Sequence, residues 1–118
     1  MIFVSTVVNV SDNSGARLAK CIHIYKKKKF ASIGDMLLVS IKTYNPKKKI
    51  KKGEMYLSIV IRVKRFINYN NGYLKFEDNA VVLLNKKMLP LGTRLFGVSI
   101  KNIRLINRKV FLMLPYII

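Results

Sequence analysis

From Met55 to Lys64 the chain reads MYLSIVIRVK, with Met55, Leu57, Ile59, Ile61 and Val63 on one parity and Tyr56, Ser58, Val60, Arg62 and Lys64 on the other. Successive side chains of a strand point to opposite faces, so this period of two predicts a strand with one buried face and one mixed face. Leu37, Val39 and Ile41 repeat the pattern after the turn residues Gly34 and Asp35, as do Ile22 and Ile24. Val81 to Leu84 is a short apolar run suited to a core strand. The period changes only beyond Leu91, where Ile100, Ile103 and Ile106 are spaced at three. That spacing predicts short helical turns within residues 92–107, followed by a last strand at 109–114. Short strands with little helix predict a mainly β fold, a small barrel. No repeat, linker or compositional break divides residues 1–118, which are read as one domain.

Two segments interrupt this pattern as projections. The first is the loop at residues 45–53, begun by Asn45 and Pro46 and closed by Gly53, which carries Lys47, Lys48, Lys49, Lys51 and Lys52. The second is the hairpin at residues 62–76, where Asn71 and Gly72 suit the two positive-φ positions of a type I′ turn. Arg62, Lys64, Arg65 and Lys75 lie along its arms. Tyr69, Tyr73 and Phe76 could offer a stacking surface for nucleic-acid bases, although cross-strand packing that stiffens the ribbon is the preferred reading.

The lysine loop and a second cluster, Lys26, Lys27, Lys28 and Lys29, belong to an imbalance of 23 Lys and Arg against 5 Asp and Glu, a formal net charge of +18. About half the residues are apolar (51%), so this is a globular core with a surface built for a polyanion rather than a disordered basic tail. Nucleic acid is the commonest cellular polyanion, and shape and phosphate reading of folded RNA ranks above base stacking.

Catalytic chemistry is thinly supplied. His23 is the only histidine and sits on an alternating strand. Of the carboxylates, Asp12, Asp35 and Glu54 lie in turn-like contexts and Glu77 and Asp78 are adjacent, so no converging set for a metal or a general acid and base is apparent. No phosphate-binding glycine loop or zinc-spaced cysteine and histidine set occurs, and neither cofactor nor metal is expected. Cys21, within CIHIY, reads as a small reduced core side chain. Apolar runs such as VFLMLPYII at 110–118 fall well short of a membrane span, so no membrane insertion is expected. The beginning, MIFVSTVVNV, has neither a signal-peptide nor a transit-peptide pattern. Residues with AT-rich codons (Phe, Tyr, Met, Ile, Asn, Lys) far outnumber Gly, Ala, Arg and Pro. Both features suit an organelle-encoded protein of the mitochondrial matrix; a plastid or an AT-rich bacterial cytoplasm are the alternatives.

The runs VNVSDNSGARLAKCIHI, IGDMLLVSIK, KKKIKKGEMYLSIVIRVKR, FEDNAVVLLN and PLGTRLFGVSIKNIR, in that order, resemble the L-fourteen family of universal large-subunit ribosomal proteins, from Met1 to about Pro115. Ser58 and Val98 stand where the family usually has Gly or Ala and a proline, and one residue fewer than usual separates Gly72 from Phe76. The resemblance implies a closed five-stranded barrel with a protruding β-hairpin and short C-terminal helices, a non-catalytic role in the large subunit, and binding to its rRNA. It further implies that Asn13, Ser14, Gly15, Ala16 and Arg17 form a first loop against RNA, Gly15 permitting close backbone approach and Arg17 forking onto a phosphate. Gly92 and Gly97 would shape the turn around TRLF. Thr93, Arg94 and Lys109 would lie at the subunit interface, facing small-subunit rRNA in an intersubunit bridge, a neighbouring large-subunit protein, and the anti-association (silencing) factor that blocks subunit joining. With the lysines of both clusters, Arg62, Lys64 and Arg65 complete the expected rRNA-binding set.

Overall fold

Alternation becomes a closed wall in the computed structural model, which describes residues 2–27, 29–48 and 50–118. Strands β1 (Val7–Val10), β2 (Ala16–Ile24), β3 (Met36–Tyr44) and β4 (Met55–Arg62) pair antiparallel in succession. After the hairpin of β5 (Ile67–Tyr69) and β6 (Gly72–Leu74), β7 (Ala80–Leu84) pairs antiparallel with β4 and parallel with β1. The order β1-β2-β3-β4-β7 closes a five-stranded barrel as expected, leaving that sheet without the unpaired edges that invite aggregation.

The barrel interior is filled by Val8, Ala19, Cys21, Leu37, Val39, Ile41, Val60, Val81 and Leu83. Cys21 is buried there, as its apolar context predicts. On β4 and β7 the outer face is buried as well: Ile59, Ile61, Ala80, Val82 and Leu84 form a second cluster with Leu95, Ile103, Val110 and Leu114. The alternation of β4 therefore separates two cores, and the parity carrying Ser58 and Val60, expected to be mixed, lies buried too. Bulges adjust this parity. One between Val60 and Arg62 brings Val63 into the interior cluster, and another between Cys21 and His23 buries Ile24 while Ile22 stays exposed.

The covering layer comes from the C-terminal segment: β8 (Val98–Ser99), α1 (Ile103–Ile106), α2 (Arg108–Met113) and β9 (Tyr116–Ile117), with β8 and β9 paired parallel. Helix begins only at Ile103, the preceding residues being taken up by the turn at 91–97 and by β8. The strand expected at 109–114 is instead α2. Asn107, in extended conformation, caps it by accepting from the Val110 N–H at 3.2 Å. Val110 and Leu114, four apart, meet the barrel while Leu112 points away. The uninterrupted apolar run VFLML carries no readable period, so the cap and the docking surface decide its conformation.

The hairpin turn lies one residue earlier than expected. Tyr69 pairs with Gly72, and Asn70 and Asn71 take the positive φ values of 50° and 63°. Asparagine tolerates this region, and the shifted register aligns Ile67 with Leu74.

Truncating the shared core should therefore be costly. Ile103→Ala is expected to destabilise by about 2–5 kcal/mol, whereas Leu112→Ala, at a side chain 67% exposed, should change stability by less than about 0.5 kcal/mol. Urea unfolding at fixed salt measures both.

Candidate nucleic-acid interface

The lysine loop is anchored at both ends and in its middle. The Asn45 N–H donates to Gly15 O (2.7 Å) and the Lys48 N–H to Asn45 O (3.0 Å), while the Asn45 side chain accepts from Lys47 N (3.1 Å). At the far end Gly53 N donates to Ile41 O and Ile41 N to Glu54 O, both at 3.0 Å, with Gly53 at φ +85°. Between them Ile50 is buried in the barrel cluster. Ile50 breaks the lysine run, and its burial leaves Lys47, Lys48, Lys51 and Lys52 exposed. Lys49 lies outside the described residues, as does Lys28. Glu54, the loop's one carboxylate, accepts from Lys51 N (2.8 Å) and from the Tyr56 hydroxyl (2.6 Å). Those hydrogen bonds, Tyr56 first, lower its pKa, and burial with the Glu54 bond pushes the Tyr56 hydroxyl up to about 12.

The first loop supports this projection. Gly15 has φ +115°, and a Cβ there would fall 2.4 Å from Lys48 Cβ. The close approach at Gly15 in this structure is to the lysine loop of the same chain. Asn13 also turns inward: its side-chain oxygen accepts from Thr93 N (2.8 Å) and Arg94 N (3.1 Å), and its amide donates to Thr93 Oγ1 (2.8 Å). Gly92 is needed beneath it, because a Cβ would stand 2.7 Å from Asn13 Oδ1. Buried Asp12 accepts from Ser14 N (3.1 Å), Ser14 Oγ and Leu83 N (3.3 Å); burial raises its pKa against these bonds. Three segments thus meet around an open cleft of about 510 Å³ bounded by Asn13 and Ser14, Lys47 and Lys48, and Gly92 and Thr93. Residues predicted to touch rRNA and a residue predicted to face the other subunit share one rim.

Arg62 does not serve as an open phosphate ligand. Its Nε donates to Asp78 Oδ1 (2.9 Å), Nη1 to Phe96 O (3.1 Å) and Nη2 to Ser11 Oγ and Asp78 Oδ2 (3.4 Å), with its side chain only 12% exposed. It fastens the end of β1, the approach to β7 and the 94–97 turn, and Gly97 makes room, since a Cβ there would lie 2.1 Å from Nη1. Burial raises the Asp78 pKa, but hydrogen bonds from Arg62 and Asn9 outweigh it and the net shift is downward.

Five further predicted cations face outward, while the Lys27 side chain lies outside the described residues. Arg17, Lys26, Lys29, Lys64 and Arg65 are exposed, with Lys26 at φ +71° in a 3-10 turn that runs Tyr25–Lys27. Arg65 lies with its guanidinium 4.4 Å from the centre of the Phe30 ring. Thr93 and Arg94 are exposed at the tip that Asn13 holds, and Lys109 is exposed in the first turn of α2. Among the described residues no group of His, Cys, Asp or Glu could hold a metal ion, and no helix is long and apolar enough to cross a membrane. Sequence reasoning missed the clamping role of Asp78; its signal was its place as one of few acids near the arginine of a hairpin arm.

Residues 1–116 match the family model described as Ribosomal protein L14p/L23e. The chain belongs to this family. It is accordingly a structural constituent of the large ribosomal subunit, associated with the ribosome in the company of rRNA and other ribosomal proteins, and its family is generally non-catalytic. The L14p/L23e barrel thus supplies a frame on which basic loops are mounted, and Arg62 belongs to the frame.

Two outcomes follow from this division. Arg62→Lys should lower stability by about 1–3 kcal/mol, since a lysine cannot reproduce the fork. Because the native fold depresses the Asp78 pKa, its contribution is present above the unfolded value near 3.8 and is lost as pH falls through the native value. The melting temperature of the parent should therefore fall relative to that of Asp78→Asn on acidification through this window, and parallel curves would contradict the assignment.

Proposed function

We propose that the protein binds large-subunit rRNA by phosphate contacts, with the lysine loop as its principal grip. The observation that supports this reading is the outward presentation of Lys47, Lys48, Lys51 and Lys52 from a loop whose backbone is fixed by Gly15, Asn45 and buried Ile50. Its local carboxylate, Glu54, accepts from the Lys51 N–H and the Tyr56 hydroxyl. Like charges held this close oppose folding unless a polyanion lies against them, and anchoring of the backbone at both ends of the loop and at Ile50 lowers the ordering cost of binding. Arg17, Lys26, Lys29, Lys64 and Arg65 extend the basic surface, with Ser14 on the cleft rim beside Lys47 and Lys48; Lys27, Lys28 and Lys49 add charge to it by sequence.

The tip carrying Thr93 and Arg94, with Lys109, is the subunit-interface surface: it meets small-subunit rRNA in an intersubunit bridge, a neighbouring large-subunit protein, and the anti-association factor that blocks subunit joining. Residue usage weighted to AT-rich codons supports an organelle-encoded component of the mitochondrial ribosome, in the matrix, over a plastid or AT-rich bacterial one.

Replacing Lys47, Lys48, Lys51 and Lys52 by glutamine should weaken binding to deproteinised large-subunit rRNA and flatten its salt dependence by roughly 0.7–0.9 in log–log slope for each phosphate that is no longer neutralised. Filter binding across a salt series measures this. A slope equal to that of the parent chain would remove the loop from the mechanism.

A further inference from the structure

The two faces of the β5–β6 ribbon have different neighbours. Ile67 packs against the barrel cluster, the Tyr69 hydroxyl donates to Ile118 O and accepts from Lys101 N (3.4 Å), and Phe76 is buried. Tyr69 and Phe76 therefore support the ribbon, as cross-strand or body packing would require. The opposite face is left open. Register places Asn68 across from Tyr73, one step beyond Ile67 and Leu74, and the period of two puts Phe66 and Lys75 on the side of Asn68 and Tyr73. Phe66 is 64% exposed and Tyr73 78% exposed, and the two line an open apolar slot of about 300 Å³. The Lys75 ammonium lies 5.1 Å from the Phe66 ring centre.

An aromatic opposite an asparagine gains little from cross-strand packing, so stiffening of the ribbon does not account for Tyr73. The chemistry around the slot selects its occupant. From Arg62 to Phe76 the chain contains no acid; Lys75 stands over the Phe66 ring, and Lys64 and Arg65 precede Phe66 in sequence, Arg65 lying over Phe30. Asn68, Asn70 and Asn71 add amide donors and acceptors at the same end. A flat, electron-rich ring attached to a phosphate fits this set: its face meets the aromatic side chains and its backbone meets the cations.

We propose that the outer face of the hairpin is a stacking site for an unpaired base of RNA, seated between Phe66 and Tyr73 with Lys75 on its phosphate side. The site rests on the RNA-binding reading above and adds to it an interaction that does not depend on counterion release.

The test uses the full chain and deproteinised large-subunit rRNA across a salt series. Phe66→Leu with Tyr73→Leu keeps the apolar bulk and removes the rings. Binding should weaken by roughly tenfold or more, with the salt slope unchanged, while Phe66→Tyr with Tyr73→Phe should bind within about twofold of the parent. Both side chains are exposed, so melting temperatures should match and folding should not confuse the result. Leucine variants that bind like the parent overturn the stacking site while leaving the lysine grip standing. Equal weakening by the leucine and aromatic-exchange pairs also overturns it, because ring stacking would survive the exchange. Parent-like RNA binding together with poorer incorporation into large subunits would assign the slot to a neighbouring protein. If the parent chain itself fails to bind the rRNA, the stacking site and the phosphate grip both fall.

Discussion

Burial of both faces of the β4–β7 pair is the constraint on which the other features depend. Val60, Val81 and Leu83 close the barrel from within, while Ile59, Ile61, Val82 and Leu84 receive Leu95, Ile103, Val110 and Leu114 from outside. A strand buried on both sides resists changes of register, since a slip by one residue would exchange every side chain between two packed layers. The loops grow from this wall: the lysine loop precedes β4, the hairpin joins β4 to β7, and the tip with Thr93 and Arg94 follows β7.

Four of the five acids serve the fold. Asp12, Asp35 and Glu54 accept from backbone N–H groups of Ser14, Ser32 and Lys51, and Asp78 accepts from Arg62. They shape turns and fasten one arginine, and the cationic surface keeps its sign. Such a surface lowers the stability of the free chain and raises its attraction to a polyanion. A protein of the large ribosomal subunit exists against rRNA, where the first effect is offset by the second.

The first loop, the lysine loop and the Thr93–Arg94 tip are not independent devices. Gly15 gives room to Lys48, and Asn13 ties down Thr93 and Arg94. Displacement of one would be felt by the others through short, specific contacts. The hairpin stands apart, fastened by Ile67 and Tyr69 and open on its other side.

The sequence alone determined the strand-rich barrel, the position of the two projections and the basic surface, because period-two alternation, glycine and asparagine turns and uncompensated charge are local properties of neighbouring residues. It also specified the family, through runs spread over nearly the whole chain. Only tertiary structure decided that Arg62 and Asn13 bond to their own chain, that residues 108–113 are helix, and that Phe66 joins Tyr73 on an open face. In each case a partner distant in sequence (Asp78, Arg94, the outer wall of β4 and β7, the opposing hairpin arm) selects among conformations or contacts that the local residues permit equally.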